Sequence, residues 1–165
     1  MQRHSFAAGL ALAILAVVGL AGPVAAGDQV PFHGRLEGVV TRTPTDPPPY
    51  VSVLVEGSGN ATQLGKFTLE IPHLVNPVTR TAVGTYEFTA ANGDTLSADF
   101  TGESMPTSTP GVLSIVETAT ITGGTGRFAG ATGGFICERL FDAVAGTTTG
   151  SFEGTISRRR CGGHR

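Results

Sequence analysis

The sequence has no tryptophan, two tyrosines and two cysteines in 165 residues. It also lacks helix periodicity: beyond residue 26 no window repeats apolar residues at three and four positions over three turns. That excludes a helical architecture, and abundant Gly and Thr favour strands and turns instead. Only His33 and His73 lie between Gly27 and Ser157, and no His or Cys falls at short ligand spacing, so no metal is expected. No Gly-x-Ser-x-Gly elbow occurs, which removes that route to a nucleophile. Basic residues are scarce: Arg35, Arg42, Lys66, Arg80, Arg127 and Arg139 stand against thirteen acidic residues from Gly27 to Ser157, six minus thirteen giving −7. An acidic body excludes nucleic acid bound over a broad face.

The two ends differ from this body. Arg3 and His4 precede an apolar run from Phe6 to Ala21, and Val24-Ala25-Ala26 supplies the small residues a signal peptidase prefers. Residues 1–26 therefore read as a secretory signal, and the protein is expected to be secreted or periplasmic. The run is shorter than the roughly 20 residues of a spanning helix, so no stable membrane span is expected after cleavage. No Cys follows the run to accept a lipid. Residues 27–157 form one domain of a length that supports a core. The tail from Arg158 to Arg165 carries four arginines and reads as a flexible, solvated end.

Within the body, eight segments alternate as strands do. They run Val30–Thr41, Tyr50–Gly57, Gln63–His73, Arg80–Ala90, Asp94–Gly102, Val112–Thr122, Gly134–Phe141 and Gly150–Ser157. In the first, Phe32, Gly34, Leu36, Gly38 and Val40 share a face; in the third, Phe67, Leu69 and Ile71 do. Ser58 to Ala61 reads as a turn or bulge, Pro72 as the end of the third strand, and Asn92-Gly93 as a hairpin turn. Arg42 to Pro49 reads as a stiff connector, Glu103 to Gly111 as a polar loop and Asp142 to Thr149 as a hairpin loop. Eight short strands point to a closed antiparallel barrel or a two-sheet sandwich, an all-β fold either way. Closure would leave an interior that is packed or that holds a small ligand.

The alternation breaks at Ile121–Phe135, ITGGTGRFAGATGGF, which contains six glycines. Gly123, Gly124, Gly126, Gly130 and Gly133 mark a tight corner, with Phe128 as its apolar anchor. The run lacks the Lys-Ser/Thr ending and following helix of a phosphate-binding loop. Its TGGTGRFAGATG portion resembles the Gly-Gly-Thr-Gly-[Lys/Arg]-Phe-x-x-Ala-x-Gly signature of plant dirigent proteins. Allene oxide cyclases carry a similar stretch, and exported bacterial proteins are similar over this corner and GSFEGTIS. The resemblance is specific from Ile121 to Ser157 and implies a single eight-stranded antiparallel barrel of the allene oxide cyclase and dirigent type. It carries no catalytic residue over.

Candidate chemistry rests on carboxylates. Glu117 shares a face with Leu113, Ile115, Ala119 and Ile121. Glu138 alternates with Ile136 and Leu140, while Cys137, Arg139 and Phe141 take the other face. A carboxyl inside an apolar barrel favours its protonated form, which suits a general acid. If a site exists, Glu117 is the leading residue, with Glu138 and Tyr86 in support. The plainer reading, in which these groups face solvent or pair with Arg139, carries more weight. Export permits a Cys137–Cys161 disulfide. With Phe141 near Phe152, Cys137 would face about Ile156, and the tail would have to fold back by about five residues; both thiol states stay open.

Two functions follow. One is an exported, non-catalytic barrel binding a small apolar ligand or a partner, with no cofactor and with oligomers allowed. The other is a dirigent- or cyclase-like enzyme acting on an apolar unsaturated substrate. Few polar groups alternate inward, which favours the first.

Overall fold

The computed structural model describes residues 28–157. The signal expected over 1–26, the basic tail 158–165 and Cys161 lie outside the described residues. Eight strands follow in order: β1 (Gln29–Pro44), β2 (Val51–Ala61), β3 (Gly65–Asn76), β4 (Thr81–Ala90), β5 (Thr95–Pro106), β6 (Val112–Gly124), β7 (Gly133–Asp142) and β8 (Thr147–Ser157). Each is antiparallel to the next. β8 returns to β1, with Gln29 facing Ser157 and Val39 facing Thr147, so the sheet closes on itself. Closure leaves no exposed edge on which another chain would pair.

Period-two alternation sets the two faces. Phe67, Leu69 and Ile71 are buried, and Lys66, Thr68 and Glu70 between them are exposed. The strands outrun the local turn signals. Ser58 to Ala61 is not a turn but the end of β2, paired with β1 and β3. Gly59 sits across from Phe67, where a side chain would collide with the ring. Pro72 does not end β3; the strand continues to Asn76, and the β3–β4 ladder skips the rungs between Glu70–Glu87 and His73–Gly84. A proline lacks the donor such a rung needs, and the unbroken β2 pairing carries the strand past it. The Glu103–Gly111 loop likewise shortens because β5 reaches Pro106. The Asp142–Thr149 loop contracts because β8 begins at Thr147. Tilted strands in a closed barrel need this length to keep both neighbours paired.

The barrel's two ends are unlike. At one, the short β2–β3 and β4–β5 turns meet the corner between β6 and β7. The corner carries positive φ at Gly123, Gly126, Gly130 and Gly133, and Gly126–Phe128 forms a single 3-10 turn. Phe128 is buried and plugs this end. Arg127 ties the loops together: its guanidinium lies 4.7 Å from the Phe128 ring centre, 3.1 Å from the Leu64 carbonyl and 3.4 Å from Asp94 Oδ2. Above the plug, Phe32, Phe67, Phe88, Phe135 and Phe152 interlock with centroid spacings of 5.0 to 6.4 Å. Buried rings fill the inward positions of this half.

Candidate functional site

The other half holds polar groups. On β6, inward alternation runs Leu113, Ile115, Glu117, Ala119, Ile121, so Glu117 must enter the barrel if its apolar neighbours do. On β7 it runs Phe135, Cys137, Arg139, Phe141. Glu117 faces Cys137 across the β6–β7 ladder, which puts Arg139 one diagonal step away. Two glycines make the room: a methyl on Gly102 would stand 2.7 Å from Glu117 Cγ, and one on Gly150 would stand 2.6 Å from Arg139 Cγ.

The result is a closed network. Arg139 donates from Nε to Glu117 Oε2 at 2.9 Å and from Nη2 to Oε1. Tyr86, reaching across from β4, donates its hydroxyl to Glu117 Oε2. Arg139 Nη1 lies 3.4 Å from Thr148 Oγ1, and Thr148 donates to the Leu140 carbonyl at 2.9 Å. Tyr86 and Glu117 are fully buried and Arg139 nearly so. Among the described residues no buried side-chain nitrogen or oxygen lacks a partner. Burial alone would pull the Arg139 guanidinium down; the hydrogen bonds and charge of Glu117 outweigh it and raise the net value. Burial first, then the Glu117 charge, push the Tyr86 phenol well above its usual range.

The expected residues separate accordingly. Glu117 and Tyr86 meet inside the barrel. Glu138 does not join them: it is exposed between Ile136 and Leu140 and borders an open depression on the outer wall with Arg35, Asn60 and Ser151. Its outward face follows from Cys137, Arg139 and Phe141 filling the inward one. Arg139 and Thr148 complete the site in its place, signalled in the sequence only by parity with Phe141 and by Gly150 across the ladder.

Cys137 lies beside Tyr86, fully buried, and Cys161 lies outside the described residues. The β7–β8 register differs from the one expected: Phe141 faces Thr148, and Cys137 faces Phe152 rather than Ile156. Burial pushes the Cys137 thiol up to about 12. In a Cys161→Ser variant, Cys137 should therefore ignore a thiol reagent in the folded protein and react fully in denaturant. A fast-reacting native thiol would place it outside the barrel.

Above the network a cavity of about 70 Å³ opens at the end carrying the β1–β2, β3–β4, β5–β6 and β7–β8 loops. Val53, Val75, Ala82, Leu113, Ile115 and Phe141 wall it, and Glu117 and Arg139 lie at its floor. His73 joins the wall as the next inward position after Ile71. Its Nδ1 lies 2.8 Å from the Ile71 carbonyl, which can only accept, so Nε2 is the bare nitrogen of the neutral ring. His33, by contrast, is exposed on the outer wall.

Desolvation lowers the His73 value from its usual 6.5. The unfolded chain then binds the proton more readily, so this contribution is complete above about 6.5 and declines as pH falls through the lower folded value. His73→Gln should flatten the stability profile between about 6.5 and the lower folded value in urea titrations; an unchanged slope there would contradict the burial.

No family model matches the sequence, and no curated relative does. Solved structures do. The barrel is similar to the pterocarpan synthase dirigent protein PsPTS1, with a TM-score of 0.59 and 12% identity, over 82% of this chain and 98% of that one. It is also similar to the pterocarpan synthase dirigent protein GePTS1, with a TM-score of 0.58 and 16% identity, over 85% and 90%. The fold is dirigent-like. At this identity the likeness concerns the barrel alone. The Gly-rich signature accordingly has a structural part in this dirigent-like barrel: its glycines turn the corner, and its Arg127 and Phe128 close the packed end.

Proposed function

We propose that this chain is an exported, non-catalytic barrel that holds a small apolar ligand at its open end. The observation carrying this reading is an apolar-walled cavity set over a polar floor that satisfies itself. Both oxygens of Glu117 accept from Arg139 and Tyr86, so no free acid or base faces the cavity from that carboxylate. Its volume, about 70 Å³, falls far below the roughly 300–1,000 Å³ of pockets that enclose drug-sized molecules. Export rests on the layout of residues 1–26.

The second reading, a dirigent- or allene-oxide-cyclase-like isomerase or cyclase, is favoured by the likeness to pterocarpan synthases. Against it stand the cavity's size and the engaged state of Glu117 and Tyr86.

The test is native against denaturing mass spectrometry of protein purified from cells that export it, beside an Ala82→Phe variant that fills the cavity. The reading expects a denatured mass starting at Gly27 and a small extra mass in the native spectrum, lost in the variant. Retention of residues 1–26 would overturn export. Extra mass equally present in Ala82→Phe would overturn the cavity as the site. Turnover of an added unsaturated substrate, abolished by Glu117→Gln, would favour the enzyme.

A further inference from the structure

We infer that the open-end cavity takes a short amphipathic monocarboxylate, its apolar end in the throat and its carboxylate at the rim before Arg42 and Arg80. This rests on the reading that the cavity holds a ligand, and adds to the apolar portion inside it a charged end at the rim.

An inward column and a turn decide what stands at the rim. On β1 the inward positions Phe32, Leu36 and Val40 lead to Arg42, while Arg80 ends the β3–β4 turn directly before β4, with a φ of 60°. Both arginines line the cavity. Glu103 also borders it, but alternates with the inward Phe100 and Gly102 and so belongs to the outward series. The rim therefore carries two cations, one at the end of an inward column and one on a turn, in a body whose net charge is −7, from six basic and thirteen acidic residues.

Neither cation has an ion-pair partner among the described residues, although Glu103 borders the same rim. Among the described residues the ion pairs are Arg127–Asp94 and Arg139–Glu117. Arg42 instead lies 5.8 Å from the Phe141 ring centre, a cation–π contact that uses none of its N–H donors. A guanidinium edge matches a carboxylate in shape and charge, and such bonds are stronger than neutral ones.

The floor sets the ligand's direction. Arg139 is already engaged by both Glu117 oxygens, so a second carboxylate there would meet the Glu117 charge. The apolar end thus enters the throat among Val53, Val75 and Leu113. At about 70 Å³ that throat is roughly half the ~150 Å³ of an apolar cavity that holds benzene, and suits a short branched chain rather than a ring.

Isothermal titration at pH 7 with isovalerate and with 3-methylbutan-1-ol separates charge from shape, since the two share a carbon skeleton. Isovalerate should bind at least tenfold more tightly than the alcohol, and the difference should shrink as salt is added. Arg42→Gln and Arg80→Gln should each weaken isovalerate roughly tenfold, the loss of one charge-assisted contact, and leave the alcohol unchanged. Both positions are exposed, so melting temperatures should hold. Equal binding of acid and alcohol, or isovalerate binding indifferent to both arginines, would overturn this inference while leaving the cavity reading intact. Binding of neither probe would overturn both.

Discussion

Arg139→Met is expected to lower the unfolding free energy by about 3–5 kcal/mol, the loss typical when one member of a buried pair is removed. The reason is geometric. Arg139 supplies two of the three side-chain donors to Glu117, and Tyr86 alone would remain to face a carboxylate with no access to water. Thr148 would lose its contact with Nη1 as well. The loss does not measure the pair's net worth, because taking two charges out of water cancels much of their attraction. Glu117→Met in the Arg139→Met background should therefore recover most of the stability. The remainder reflects the Tyr86 hydroxyl left without its acceptor, about 1–3 kcal/mol. Urea unfolding at pH 7 with unchanged slopes checks both. A single-variant loss under about 1 kcal/mol would mean that the pair is hydrated.

Phe128→Ala should cost a similar amount, about 3–5 kcal/mol, as expected for an aromatic removed from a site that cannot collapse. Backbone hydrogen bonds hold the corner around this ring: Phe128 N donates to Thr125 O at 2.9 Å, and Ala131 N to Phe128 O at 2.9 Å. Those fixed loops cannot close over the gap. Arg127→Ala should cost far less, because its side chain and its partner Asp94 keep contact with solvent. Thermal unfolding of the two variants side by side checks the ordering. If Arg127→Ala proved the more damaging, the corner would be held by charge rather than by the buried ring.

Much of this fold was legible because each strand writes its faces in period two. The order and number of strands, the inward series on β1, β3 and β5, the Asn92-Gly93 turn and the Phe128 anchor all follow from local pattern and turn chemistry. Strand length did not follow. Ser58, Gly59 and Asn60 are turn residues by composition, yet pairing on both sides holds them extended, and Pro72 is tolerated because only one ladder loses a rung. β7 was the ambiguous case, since Ile136 and Leu140 lie outside at 52% and 50% exposure while Cys137 and Phe141 lie inside. With apolar residues on both faces, the pattern could not say whether Glu138 or Arg139 entered the barrel.

Of the site, Glu117 and Tyr86 could be named separately, but their meeting could not. They are 31 residues apart and sit on strands that do not pair, so only closure brings them together. His73 was hidden for a related reason: with Pro72 read as a strand end, its inward position past Ile71 was lost. The β7–β8 register was missed because the turn is tighter than the loop expected: Asp142 Oδ1 accepts from Val144 N and Ala145 N, and Gly146 takes a φ of 70° before β8 begins.

The central claim is that one half of this barrel is solid and the other is hollow. A crystal structure under xenon pressure tests it most directly, since xenon enters apolar cavities without needing a specific contact. The account predicts one xenon site at the open end, among Val53, Val75, Ala82, Leu113 and Phe141, and none among the phenylalanines between Phe32 and Phe128. Xenon bound among those rings, or an open end that admits none, would contradict it.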